Sequence, residues 1–192
     1  MQNIFMILQL FGGLALFLYG MDSMSRAIQL GAGKRLRSLL ARCTANPVAG
    51  LVTGAAVTAV VQSSSAVTVM VIAFLAAGLL QLRQAVPVVF GANIGTTITA
   101  VLASIGQGKD AKRVAAAHAI FNLSGAAVCC GLLGPFAALV QRLSPAGPEC
   151  AVIARQIANA HTLFNVCCAL VWLPLTGRMV RLVTRLLPDR AA

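Results

Sequence analysis

The chain has 192 residues, of which 59% are hydrophobic and only 10% charged, and its mean hydropathy is +0.88. A soluble domain is about a quarter charged, and a globule this small has too much surface to cover with so few ionic groups; disorder is excluded because apolar content this high does not stay solvated. What fits is an all-α integral membrane protein. Roughly 20 apolar residues span a bilayer as a helix, so the length allows about five or six membrane segments in a single transmembrane domain, 1–192.

Lys and Arg number 15 against 4 Asp and Glu, a formal net charge of +11. In a soluble protein that balance would suggest nucleic acid. Here the basic residues gather in short stretches between apolar runs, at 26–42, 109–113 and 178–190. That is the pattern of cytoplasmic loops beside anionic lipid, so the bilayer and not nucleic acid is the expected partner. The acids Asp22, Asp110, Glu149 and Asp189 all lie at the ends of apolar runs, leaving no carboxylate at membrane depth for a proton relay. Cys43, Cys129, Cys130, Cys150, Cys167 and Cys168 show no CxxC or Cys–His ligand spacing and read as small apolar filler. No paired carboxylates, nucleophile–base set or Walker-type loop is present, so an enzyme is not expected.

Residues 4–21 form the first apolar run. It lacks a basic segment before it and is followed by Asp22, so it reads as a retained span rather than a signal peptide. Residues 22–46 are basic and amphipathic. Leu36, Leu39, Leu40 and Cys43 fall at helical spacing against Lys34, Arg35, Arg37 and Arg42, which predicts an interfacial helix ended by Asn46-Pro47. The apolar stretch 48–80 is too long for one ordinary span and too short for two with a turn. Its middle is Gln62-Ser63-Ser64-Ser65, with arms of about 14 residues, each shorter than a full span. A broken helix or a re-entrant hairpin with the polar cluster at its tip is expected.

The stretch 84–105 is interrupted by Gly91-Ala92-Asn93-Ile94-Gly95-Thr96-Thr97. Gly91 and Gly95 permit backbone conformations closed to other residues, and Asn93, Thr96 and Thr97 could cap a new helix near Ile98. A broken helix is predicted here too. Irregular backbone at membrane depth is tolerated only where protein or a water-filled cavity satisfies it; two breaks about 30 residues apart point to a binding site. The alternative is that these polar breaks only pack helices, since Gly50 and Gly54, and Gly91 and Gly95, have small-xxx-small spacing.

Residues 1–106 thus form one unit and 107–192 another, a tandem helical repeat of period 43. Ala117-His118-Ala119-Ile120-Phe121-Asn122 matches Ala160-His161-Thr162-Leu163-Phe164-Asn165, and Arg142-Leu143-Ser144-Pro145 meets Arg185-Leu186-Leu187-Pro188. Spans are expected near 112–135 and 155–177. His118 and His161 read as interhelical hydrogen-bonding groups, with substrate contact as the lesser alternative. The basic segments 22–46, 106–113 and 178–192 are all expected in the cytoplasm. That requires 48–80 and 84–105 to make one net crossing each, and it leaves Arg142 and Arg155 outside.

Gln62 to Ser65 supply hydroxyls, an amide and backbone groups freed from a helix ladder. A helix N-terminus binds phosphate-like anions without Arg or Lys. Unwound carbonyls and hydroxyls suit sodium. A site rich in neutral oxygens and poor in fixed charge can hold both ions, each balancing the other, which is a physical route to obligatory coupling.

Thr58-Ala59-Val60-Val61-Gln62-Ser63-Ser64-Ser65-Ala66 followed by Gly91-Ala92-Asn93-Ile94-Gly95-Thr96-Thr97 resembles the type II sodium–phosphate cotransporter family. Leu16-Phe17-Leu18-Tyr19-Gly20-Met21 resembles that family's first helix, and the Ala-His-x-x-Phe-Asn helices its later part. The resemblance implies sodium-coupled inorganic phosphate symport in the cell (inner) membrane, with sodium as coupling ion and no other cofactor. It implies that Gln62, Ser63, Ser64 and Ser65 contact phosphate or sodium, that Asn93, Thr96 and Thr97 line the same site, and that Thr58, Gly91 and Gly95 shape it. The family has two inverted repeats, each with a Gln-Ser-Ser-Ser element, and bacterial members often add a C-terminal regulatory domain. This sequence has one such element and stops at Ala192. A homodimer, or a partner chain carrying a second repeat, is therefore expected to complete the site; a non-transporting remnant or accessory subunit is the alternative.

Overall fold

Asn46 sets the entry to the membrane part of the fold. Its Oδ1 accepts a hydrogen bond from the Ala49 N–H at 2.8 Å, and Pro47 takes the first helical position, where its missing N–H has no intrahelical partner to lose. The computed structural model describes residues 2–31, 34–147 and 149–189. Its helices are α1 (Gln2–Gly31), α2 (Lys34–Cys43), α3 (Pro47–Val61), α4 (Ser64–Ala76), α5 (Leu82–Ala103), α6 (Lys109–Gly131), α7 (Leu133–Arg142), α8 (Glu149–Trp172) and α9 (Thr176–Leu186), with a 3₁₀ turn at Leu173–Leu175. The helix α2 meets α3 at 109°. It falls within 22–46, where an interfacial helix is expected from the sequence, but it begins only at Lys34; residues 22–31 continue α1, where Arg26 pairs with Asp22 at 2.9 Å.

Glycines decide the direction of the chain. Gly50 lies against Pro87 and Gly54 against Val88; Gly91 lies against Leu51 and Ala55, and Gly95 against Ala55 and Thr58. The numbers rise together, so α3 and α5 run parallel. A side chain on Gly91 would overlap the Leu51 carbonyl oxygen, and one on Gly54 the Val88 carbonyl oxygen. Small residues thus bring the two backbones into direct contact, the packing mode available where lipid offers no hydrophobic driving force.

Parallel α3 and α5 force α4 to turn back. At the start of α5, Gln84 Nε2 donates to Thr44 Oγ1 at 3.4 Å, just before α3. Residues 77–81 reach about 20 Å at full extension. Had α4 continued the line of α3, its end would lie about 42 Å from α3's beginning, beyond that reach. The stretch 48–80 is therefore a re-entrant hairpin with Gln62-Ser63 at its tip.

This hairpin corrects the expected topology. It enters and leaves on one face, where Thr44, Asn46 and Pro47 between α2 and α3 share a cavity with Arg83 and with Leu133 at the start of α7. The α6 entry and α9 lie at the other: Arg113 guanidinium nitrogens donate to the Leu187 carbonyl at 2.9 and 3.1 Å, and Met179 and Val114 line one cavity. The three basic segments do not share a face.

A second correction concerns 84–105. α5 is one uninterrupted helix through Gly91-Ala92-Asn93-Ile94-Gly95-Thr96-Thr97. No new helix starts near Ile98. The glycines serve close approach, and Thr96 and Thr97 donate their hydroxyls to the Ala92 and Ile94 carbonyls at 2.9 and 2.7 Å.

Among the described residues, α5, α6 and the continuous segment Val152–Leu186 are long and apolar enough to cross a bilayer, with the bent α2–α3 pair as a fourth. The expected five or six segments are reached only by adding α4 and the Ile4–Gly20 part of α1, both shorter than a full span. The core gathers on α5. The Phe90 ring stacks on Phe164 at 4.9 Å and meets Phe136 edge-on at 5.1 Å, joining α5 to α8 and α7. At an offset of 43, α7 and α9 occupy equivalent places after their long helices.

Candidate functional site: a charge-free cleft at the hairpin tip

Two adjacent backbone conformations break the α3–α4 ladder. Gln62 caps α3 in the left-handed region at φ 57°, its N–H still donating to the Thr58 carbonyl at 2.6 Å. Ser63 is extended at φ −143° and caps α4, its Oγ accepting from the Ala66 N–H at 3.2 Å. Ser64 and Ser65 then begin α4. Their N–H groups have no partner within the helix, and the helix dipole places partial positive charge there.

A cleft of about 270 Å³ opens at this end of α4. It is lined by Ser64, Ser65, Thr68 and Val69 on one side and by Ala158, His161 and Thr162 of α8 on the other. Its polar groups are hydroxyls, an imidazole and backbone N–H groups; no carboxylate, ammonium or guanidinium is among the lining side chains. In such surroundings an ion is held by oriented dipoles in a medium that screens poorly.

Behind the cleft, His161 Nε2 lies 3.1 Å from Asn93 Oδ1. With the proton on Nε2, the imidazole donates to the amide oxygen. Asn165 Nδ2 donates to the His161 carbonyl one turn earlier at 2.8 Å. Among the described residues, two buried polar atoms find no partner, Asn93 Nδ2 and Thr58 Oγ1. Asn93 is 7% exposed and Thr58 fully buried, a C-β on Gly95 falling 2.7 Å from the Thr58 Cβ. A buried donor left open is costly, and both orphans flank the hairpin tip.

Of the residues singled out by sequence, Ser64 and Ser65 line the cleft directly, Ser63 shapes it by capping α4, and Asn93 reaches it through His161. Gln62 stands exposed at the tip. Thr58, Gly91 and Gly95 sit in the α3–α5 contact. Thr97 lines a different, apolar groove with Leu51, Ala55 and Ile98, and the Thr96 hydroxyl is turned to its own helix. Sequence reasoning passed over Thr68 and Thr162 and gave His161 a bridging role. The bridge to Asn93 is present, and His161 faces the cleft as well. Its repeat mate His118 lines a separate cavity with Trp172 and Met179. Cys129, Cys167 and Cys168 line another apolar pocket, where Cys168 is buried against Gly125.

The sequence is similar to those of known phosphate transport proteins. The chain is 40% identical over 99 residues to sodium-dependent phosphate transport protein 2A of Oryctolagus cuniculus, covering 50% of this chain and 15% of that protein. It is 37% identical over 129 residues to sodium-dependent phosphate transport protein 2B of Homo sapiens, covering 63% and 19%. It is 41% identical over 95 residues to the uncharacterized protein YqeW of Bacillus subtilis (strain 168), covering 50% and 31%. The matches thus span less than a third of each relative's length. No solved structure matches. Residues 16–158, which include the hairpin, its tip and all of α5, match the Na+/Pi-cotransporter family, a family of transporters and not enzymes, and the chain belongs to it.

Proposed function

We propose that the chain carries inorganic phosphate together with sodium across the cell (inner) membrane, as a symporter. The observation that supports this reading best is the cleft at the α4 N-terminus, polar yet free of ionised side chains, beside two buried polar atoms without partners. Phosphate oxygens would take hydrogen bonds from the Ser64 and Ser65 N–H and hydroxyl groups, the use to which exposed helix N-termini are suited. Sodium would take oxygens from Ser63, the Gln62 amide and the carbonyls released at the break. Asn93, held by His161, would turn its free Nδ2 toward the anion; Thr96 and Thr97, whose hydroxyls bond to their own helix, would take no direct part. Thr58, Gly91 and Gly95 fix its shape by holding α3 to α5. One such cleft covers an ion pair on one side, so a second copy or a partner chain with a like hairpin would close the other.

Phosphate uptake into sealed vesicles holding the protein tests this. Uptake should rise when a sodium gradient is imposed and fall at least tenfold in Ser64→Ala. Uptake indifferent to sodium would sink the coupling. No uptake at all, from folded protein, would favour the alternative in which the polar break only packs helices.

A further inference from the structure

The helix α9 gathers three arginines into one stripe. Arg178, Arg181 and Arg185 are exposed and fall at i, i+3 and i+7, on the face turned away from the buried Met179 and Val183. Among the described residues none of the three meets a carboxylate, and the Arg181 Nε donates to the Gly177 carbonyl of its own helix at 3.3 Å. Val180 on one side of the buried line, and Leu182 and Leu186 on the other, are exposed. The apolar sector of α9 is therefore wider than the rest of the fold covers. A helix with uncovered apolar shoulders and a basic stripe suits the boundary between acyl chains and headgroups.

Depth and a cavity point the same way. Arg155 and Arg178 lie in the continuous segment Val152–Leu186, about 34 Å apart along a helix, against a hydrocarbon core about 30 Å thick. With Arg155 at one boundary, Arg178 begins the headgroup layer at the other, and Arg181 and Arg185 follow about 5 and 10 Å further out. Just inside that level a cavity of about 460 Å³ lies between α6 and the α8–α9 segment, lined by Val114, Phe121, Trp172 and Leu173 among others. His118 and Thr176 are its polar members, and the Trp172 N–H is already taken up by Ser124 Oγ at 3.1 Å. Arg178 stands two positions beyond Thr176, at the outer end of this lining.

We infer that α9 holds an anionic phospholipid, with one acyl chain in the cavity between α6 and α8 and the phosphate against the Arg178, Arg181 and Arg185 stripe. Guanidinium groups match phosphate oxygens in geometry as well as in charge. A zwitterionic lipid brings its own ammonium to the same place and gains less. Free inorganic phosphate offers the same oxygens but no chain to fill an apolar cavity, so the lipid is the occupant. The sequence groups this segment with two other basic stretches; the structure gives it a stripe and a cavity of its own. The inference does not depend on the transport reading above.

Trp172 is the chain's single tryptophan and lines the cavity, so its fluorescence reports the occupant. The full chain is placed in phosphatidylcholine bilayers that contain, at equal mole fraction, either phosphatidylglycerol or phosphatidylcholine brominated on its acyl chains. Brominated phosphatidylglycerol should quench more strongly. Replacing Arg178, Arg181 and Arg185 together by Gln should weaken that preference by about fivefold per arginine, while replacing the same three by Lys should keep most of it. Replacing Lys34, Arg35 and Arg37 of α2 by Gln, an equal loss of charge on the other face, should leave it unchanged. Equal quenching by the two lipids, a preference that survives the α9 glutamines, or one lost equally in the α2 variant would each overturn the inference. So would a preference abolished by inorganic phosphate in the buffer, which would assign the arginines to the free anion.

Discussion

His161 on α8 and Asn93 on α5 are 3.1 Å apart at the back of the cleft, and this contact ties the two halves of the sequence together. Asn93 is nearly buried and its Nδ2 has no partner, so the imidazole is the group that fixes the amide plane. Removing the ring strands the amide oxygen as well. His161→Ala should lower stability by about 1–3 kcal/mol, read as a lower melting temperature in detergent. It should reduce phosphate uptake beyond what the loss of folded protein explains. His161→Gln, which keeps a donor near that place, should restore part of both.

Gly91 touches the α3 backbone at Leu51 and Ala55. An added methyl group there meets main-chain atoms that cannot rotate away. Gly91→Ala should therefore separate α3 from α5 and destabilise the protein by at least the 1–3 kcal/mol usual for overpacking. Gly78→Ala meets no neighbouring atoms, but its φ of +63° makes alanine strained there too. Gly134→Ala, inside α7 with no neighbouring atom in reach, should leave the melting temperature unchanged or slightly raised and is the proper control.

Ser63 and Ser64 are neighbours with separable duties. Ser63 Oγ caps α4 through the Ala66 N–H, so Ser63→Ala should lose about 1 kcal/mol of helix stability, and Ser63→Asp or Ser63→Asn should recover the cap. Ser64 lines the cleft and has no capping bond. Ser64→Ala should leave the melting temperature nearly unchanged while abolishing sodium-dependent uptake. Equal loss of stability in both variants would show that the tip is a packing feature only.

Gln62 holds a left-handed backbone at φ 57°. That conformation is strained for a branched side chain and free for glycine. Gln62→Gly should preserve or raise the melting temperature and remove only the amide, whereas Gln62→Val should lower it. If Gln62→Gly retains full uptake, the amide takes no part in holding sodium.

Arg113 joins α6 to the C-terminal segment by donating to the Leu187 carbonyl, to Asp189 at 2.9 Å and to Asp110 at 3.0 Å. Arg113→Gln should release that segment, seen as faster cleavage by trypsin after Arg185, with little change in melting temperature because the acidic partners are exposed.

The sequence carried the hairpin's ingredients openly. Four polar residues interrupt an apolar stretch of a length that fits neither one span nor two, and the structure places the break at Gln62-Ser63. Asn46-Pro47, read from the sequence as the end of the surface helix, proves also to be the capped start of α3. The α5 interruption was misread because glycine serves two ends that one sequence cannot separate: it allows a backbone to depart from the helix, and it allows a straight helix to be approached closely. Only the facing glycines of α3 decide between them, and their register against α5 is a property of the fold. The same holds for topology. Whether 48–80 crosses once or returns depends on the parallel contact of α3 with α5, which no local pattern encodes. The cleft's second wall was hidden for a related reason. His161 belongs to a repeat whose other histidine looks identical in sequence yet lies in a different cavity.

The shortness of the hairpin arms has an electrical consequence. With α3 about 22 Å long in a hydrocarbon layer of about 30 Å, the tip stands roughly 8 Å from the far surface. If water follows the hairpin inward, the membrane voltage drops mainly across that thin remainder. On the transport reading proposed above, a cation held at Gln62-Ser63 would cross most of the potential over that remainder of about 8 Å, and a small shift of one hairpin would hand it from one aqueous compartment to the other.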